Sequence, residues 1–91
     1  MDTEIYKLGK ELDSFNYQEV QNGLLAILEK GCSATLDMTD CTYISSTGLR
    51  VLLYTKKVAK SKGLNFSLKG VGDEVKDIMT ITGFDGFFDY E

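Results

Sequence analysis

Ninety-one residues, 43% of them apolar and 26% charged, with a net charge of −4, are sized for a single domain (residues 1–91) with a small core, since a chain of this length buries roughly 60–65% of its unfolded surface. The chain has no histidine and no tryptophan, which removes Ser-His-Asp triads, Cys-His pairs and histidine-containing zinc sites. Its two cysteines, Cys32 and Cys41, are too few for a disulfide framework or a structural zinc.

The elements follow in chain order. Glu4 to Leu8 reads as a short strand. Asn16 is placed as an N-cap with Glu19 three residues on, and Tyr17, Val20, Leu24, Ile27 and Leu28 then share one helical face that ends at Gly31. Cys32, Ala34, Leu36 and Met38 alternate with polar residues as a second strand. From about Thr47 to Lys62 the period is helical again, with Leu49, Leu52, Leu53 and Ala59 on one face and Val51, Tyr54 and Val58 widening it. Gly63 closes that helix, and Leu64, Phe66 and Leu68 alternate as a third strand. Asp73 is placed as the cap of a third helix carrying Val75, Ile78, Met79 and Thr82, with Gly83 after it. Phe87 to Tyr90 completes the pattern as a short strand. The order βαβαβαβ predicts an α/β fold: a sheet of about four mostly parallel strands with three main helices. In such sheets, ligands and partners meet the loops at the C-terminal ends of the strands.

Charge is unevenly placed. Residues 1–45 hold 8 acids and 3 bases; residues 46–91 hold 6 acids and 7 bases. Arg50, Lys56, Lys57, Lys60 and Lys62 form a run without an acid. On a helix this is read as a solvated face with dipole-favoured lysines near its C-terminus, and direct nucleic-acid binding is not expected of an acidic chain. The N-terminal sequence MDTEIYKLGKELD has no secretory pattern, and no stretch reaches the ~18 apolar residues of a membrane span. A cytoplasmic protein with reduced thiols and no membrane insertion is expected.

The segment that stands out runs Tyr43-Ile44-Ser45-Ser46-Thr47-Gly48-Leu49-Arg50. Three consecutive hydroxyl residues precede a glycine at a helix start. One hydroxyl suffices as an N-cap, so the others are unexplained by capping. Asp37 and Asp40 lie at a strand end in a divalent-cation-like spacing, yet the companion acids and lysine of such a site are missing, and a solvated loop is expected. Gly70-Val71-Gly72 lacks the third glycine of a dinucleotide fingerprint. Phe84, Phe87 and Phe88 are read as C-terminal packing, and both cysteines as small apolar residues.

Residues 43–53 resemble the signature of the STAS domain, and more narrowly that of anti-sigma factor antagonists that work by partner switching. Lys60-Ser61-Lys62-Gly63-Leu64 is similar to that family's helix-to-strand junction, Val71 through Phe84 to its third helix, and Glu11-Leu12-Asp13 to its Gly-Glu-Leu-Asp, with Lys10 at the glycine. Ser45 stands where many members carry Asp, and Arg50 where some carry Gly. The resemblance spans about residues 5–90. The family's usual extra N-terminal edge strand is not evident, which leaves a four-stranded sheet with an exposed edge. The resemblance implies a non-enzymatic bacterial transcription regulator without cofactor or metal. Ser46 is then the phosphoacceptor. Tyr43, Ile44, Ser45, Thr47, Gly48 and Arg50, with Asp13 on a neighbouring loop, form the partner surface. The implied partners are an anti-sigma factor that is also a serine kinase and a serine phosphatase of the metal-dependent class. The alternative is an unphosphorylated STAS subunit of an ABC-type lipid-transport ATPase complex.

A phosphate on Ser46 adds about −1.5 to −2 charge, which a helix N-terminus favours. Arg50 lies at i+4 and is within reach, whereas Lys56, ten residues on, is about 15 Å away along a helix. Modification is therefore expected to leave the fold intact and to act on the partner.

Overall fold

Periodicity decides which residues enter the core, and the computed structural model, which describes residues 2–91, follows it closely. Strand β1 is Thr3–Lys7, β2 is Glu11–Leu12, helix α1 is Tyr17–Glu29, and β3 is Ser33–Asp37. Strand β4 is Tyr43–Ile44, α2 is Ser46–Ser61, β5 is Phe66–Lys69, and α3 is Asp73–Thr82. A 3-10 turn at Asp85–Phe87 leads into β6, Asp89–Tyr90.

The main sheet has the order β1-β3-β5-β6, and every neighbouring pair is parallel. Register aligns Tyr6 with Leu36, Leu36 with Leu68, and Leu68 with Tyr90. Because side chains alternate along a strand, Ala34, Leu36, Phe66 and Leu68 fall on one face. There they join Val20, Leu24, Ile27 and Leu28 of α1, Leu49, Val51 and Leu52 of α2, and Val75 and Met79 of α3 in one core. The other face is polar. On it the Thr35 and Ser67 hydroxyls, 3.1 Å apart, both donate to the Glu91 carboxylate.

All three helices end alike. Gly31, Gly63 and Gly83 take φ of 83°, 70° and 80°, a left-handed conformation that glycine enters without a Cβ penalty. The next residue returns its N–H to the helix: Cys32 to Ile27, Leu64 to Ala59, Phe84 to Met79. This is the Schellman closure, and it places each stop where the glycine spacing predicts it.

The helix starts differ from expectation. Asn16 precedes α1 but does not cap it. Its side chain turns backward, accepting from the Asp13 N–H at 2.9 Å and donating to the Glu11 carbonyl at 2.7 Å. An amide has both a donor and an acceptor, and here both close the preceding loop. Asp73 is the first residue of α3 rather than its cap; Gly72 occupies the cap position without a side-chain bond. Asp73 and Glu74 still sit in the first turn, where the helix dipole favours acids.

Two elements are additional. β2 and β4 pair in parallel, Glu11 with Tyr43 and Leu12 with Ile44, as a separate two-stranded ribbon. Strands of two residues are too short to show periodicity. The basic face of α2 is also less uniformly solvated than its composition suggests. Lys56 donates to the Phe87 carbonyl and lies 5.6 Å and 5.9 Å from the Phe87 and Phe88 ring centroids. That lysine ties α2 to the C-terminal aromatic group, in which Phe88 is buried, Phe84 half-buried and Phe87 exposed.

Candidate functional site

The hydroxyl cluster is positioned by the β2–β4 ribbon. The Ser45 N–H donates to the Leu12 carbonyl at 2.9 Å, extending the ribbon up to the first turn of α2. Ser45 has extended backbone dihedrals (φ −85°, ψ 172°), and its Oγ accepts from the Gly48 N–H at 3.1 Å. Ser45 is therefore the N-cap. Ser46 is the first helical residue, exposed, and its hydroxyl has no hydrogen-bond partner among the described residues. The Ser46 and Thr47 N–H groups belong to the unbonded first turn of the helix, and no acid lies in that turn.

Gly48 is buried because nothing larger fits. A Cβ there falls 2.5 Å from the Leu12 carbonyl oxygen and 2.8 Å from the Leu12 side chain. The ribbon and the helix touch backbone to backbone at this point, which brings residue 13 beside the start of α2.

Asp13 begins a tightly held turn. Its Oδ1 accepts from the N–H groups of Phe15 (2.9 Å) and Asn16 (3.2 Å). The Phe15 N–H bond is the main reason its carboxyl titrates below the ordinary carboxylate range, and the hydrogen bond it shares with Glu11 pushes the Glu11 carboxyl up. The turn presents Phe15 almost fully to solvent, at 95% exposure. Beyond it a groove between α1 and α2 is lined by Ser14, Tyr17, Gln21, Thr47, Arg50, Val51 and Tyr54. Arg50 is exposed and makes no ion pair among the described residues.

Most of the sequence-predicted surface is therefore brought together, with two corrections. Ile44 is buried to 2% exposure, because pairing with Leu12 turns it into the core while Tyr43 turns out to 49%. Gly48 is likewise inside and offers a partner no surface. The same face carries two aromatics that sequence reasoning did not put there: Phe15, which it left unassigned, and Tyr54, which it set on the apolar face of the helix and which is 48% exposed. An aromatic inside the turn-forming string Asp-Ser-Phe-Asn was the available signal for the first, since Asx turns fix such residues outward.

The neighbouring loops are structurally committed. Asp37 accepts from the Thr39 N–H at 3.0 Å and from its hydroxyl, and Lys7 bridges Asp37 and Asp40 at 3.6 Å and 3.4 Å. Cys41 is buried, its thiol donates to the Tyr43 carbonyl at 3.3 Å, and burial raises its pKa, the opposite of an activated cysteine. No helix among the described residues is long and apolar enough to cross a membrane.

Comparison with known proteins places this geometry. The STAS domain model matches residues 2–91. The anti-sigma-B factor antagonist of Bacillus subtilis is 27% identical over 79 residues, which is 87% of this chain and 72% of that protein. The crystal structure of a putative anti-sigma factor antagonist from Thermotoga maritima superposes with a TM-score of 0.87 at 26% identity, covering 99% of this chain and 80% of that one. The Bacillus protein SpoIIAA in its phosphorylated form superposes with a TM-score of 0.73 at 12% identity, covering 99% of this chain and 83% of that one; at that identity the likeness shows the fold alone.

Proposed function

Because the chain belongs to the STAS domain family, we propose that it is an anti-sigma factor antagonist, a regulator that acts through binding rather than catalysis. In its unmodified form it binds an anti-sigma factor that is also an ATP-dependent serine kinase, which frees a sigma factor. The kinase transfers a phosphoryl group to Ser46, the complex separates, and a metal-dependent serine phosphatase restores the hydroxyl.

One observation carries this reading: the division of labour at the start of α2. Ser45 does the capping, so the exposed Ser46 hydroxyl is available for chemistry without cost to the helix. A phosphate there would meet the unbonded N–H groups of the first turn and the positive end of the helix dipole. Arg50, exposed and one turn on, supplies the counter-charge in this reading. Release follows from the partner side. A dianion at the centre of a docked surface is either left unpaired on burial or repelled, and both weaken the complex.

The test is phosphorylation by a cognate anti-sigma kinase with ATP, read by intact mass and peptide mapping. A single phosphate on Ser46, abolished in Ser46→Ala and retained in Ser45→Ala, is expected. A protein that takes no phosphate and instead co-purifies with an ABC-type transport ATPase would overturn the proposal in favour of a permanent subunit.

A further inference from the structure

The main sheet has one long unpaired edge. Among the described residues, β1 bonds to β3 on one side and to no strand on the other. At its two ends the Ser33 N–H donates to the Asp2 carbonyl (3.0 Å) and the Leu8 N–H to the Asp37 carbonyl (2.9 Å). In a parallel ladder, alternate residues direct both backbone groups to the same neighbour. The even-numbered residues 2 to 8 therefore serve β3, and Thr3, Ile5 and Lys7 point their N–H and C=O groups outward. The same three side chains project onto the polar face, where Ile5 is 58% exposed. The opposite edge is different in kind, because β6 has only two residues.

We propose that this edge binds a second copy of the chain, the two β1 strands running antiparallel about a two-fold axis through Ile5. That register sets Ile5 opposite Ile5 and Thr3 opposite Lys7. The Ile5–Ile5 pair and the two Thr3–Lys7 pairs then join residues with outward backbone groups and exchange both N–H···O bonds, about six hydrogen bonds in all. A slip of one residue pairs outward groups with groups already used by β3, and a slip of two keeps only about four of the six bonds and brings Glu4 opposite Glu4 or Tyr6 opposite Tyr6. The side chains agree with the register through Ile5. No like charges fall directly opposite; Glu4 faces Tyr6, and the Glu4 carboxylate is already neutralised by Lys30 at 3.0 Å. Ile5 meets its symmetry mate on a face that otherwise leaves it in water. An isologous contact of this kind closes on itself and stops at the dimer, joining two four-stranded sheets into one.

The test is the mass of the 91-residue chain by light scattering and sedimentation from micromolar to millimolar concentration. The mass is expected to double from 10.1 kDa as concentration rises. Ile5→Pro removes an outward N–H and no β3 bond, and proline is tolerated at such edge positions, so this variant is expected to keep the native circular dichroism and stay monomeric. Ile5→Lys, which places like charges opposite each other, is expected to do the same and carries the comparison should the proline variant not fold. In a Cys32→Ser background, Ile5→Cys is expected to form a disulfide-linked dimer on oxidation, because directly opposed residues lie ~5.5 Å apart at Cα. Thr3→Cys, opposite Lys7, is not. A mass that stays at one chain throughout, a dimer that survives both Ile5 substitutions, or cross-linking of Thr3→Cys as readily as Ile5→Cys overturns the proposal.

Discussion

The Ser45 hydroxyl accepts the Gly48 N–H at 3.1 Å, and that single bond sorts three adjacent hydroxyls into different duties. Loss of an N-cap costs typically about 1 kcal/mol, so Ser45→Ala is expected to lower stability by about that amount in urea or thermal unfolding. Ser46→Ala removes an exposed hydroxyl with no partner and is expected to fall within about 0.5 kcal/mol of wild type. Ser46→Glu adds a negative charge to the first turn, where the helix dipole contributes about 0.3–1 kcal/mol in its favour. Its melting temperature is expected to equal or exceed that of the unmodified protein while kinase binding falls. A Ser46→Glu protein that melts far below wild type would show that negative charge at this position unfolds the domain, which contradicts the proposed switch.

Gly48→Ala tests the junction beneath the site. The new Cβ meets the Leu12 carbonyl at 2.5 Å, and a backbone oxygen in a ribbon cannot rotate away as a side chain can. Overpacking of this kind typically costs about 1–3 kcal/mol, and the damage is local to the contact between the ribbon and α2. Unfolding midpoints measure the stability loss. Phosphorylation of Ser46 at a temperature where the variant remains folded measures whether the displaced helix start still fits the kinase; a slower rate is expected.

The main sheet and the helices were legible in the sequence because their residues repeat at periods of two and about 3.6 over enough length to be counted. The positions after each helix were legible because Gly31, Gly63 and Gly83 have one common local reason to be there. The ribbon was not legible. Glu11-Leu12 and Tyr43-Ile44 pair across thirty intervening residues, and no local pattern in either dipeptide announces the other. The fate of Ile44 was lost with it, since only pairing with Leu12 fixes which way that residue turns. Asn16 shows a different limit: the residue type marked a helix start correctly, but its amide was used to close the loop behind it. The hydroxyl triplet could be recognised as more than a cap requires, yet its assignment to Ser45 needed the extended backbone at that residue.

Phe15 supplies a prediction that sequence analysis had not suggested. At 95% exposure it contributes almost nothing to folding, so Phe15→Ala is expected to leave the unfolding curve unchanged within about 0.5 kcal/mol. The turn beneath it is nonetheless held by four hydrogen bonds among residues 11–16. A rigidly presented aromatic has little entropy to lose on docking, and such residues dominate interface energies. Affinity for the anti-sigma kinase is expected to fall at least about tenfold in Phe15→Ala, equivalent to about 1.4 kcal/mol, as read by calorimetry or surface capture. Unchanged affinity would place the docked surface on the α2 side of the groove, around Arg50 and Tyr54.

Acid titration probes the far end of the sheet. The Glu91 carboxyl accepts hydrogen bonds from Ser67 and Thr35, in that order of influence, and its pKa lies below the ordinary 4.5 in consequence. A carboxylate whose pKa is lower folded than unfolded stabilises the native state in full above its unfolded pKa, and that contribution fades as pH falls through the folded one. The Glu91 contribution is therefore constant at neutral pH, begins to fade as pH falls below about 4.5, and is lost through the lower, folded pKa. Glu91→Gln is expected to make the midpoint of urea unfolding less steeply dependent on pH in the acid range than in wild type, and to leave the neutral plateau flat. Ser67→Ala is expected to reproduce part of the effect, since it removes the bond that most depresses the carboxyl. An acid limb identical in all three proteins would mean that the sheet edge at β6 is held by the Leu68–Tyr90 pairing and the Glu91 backbone alone.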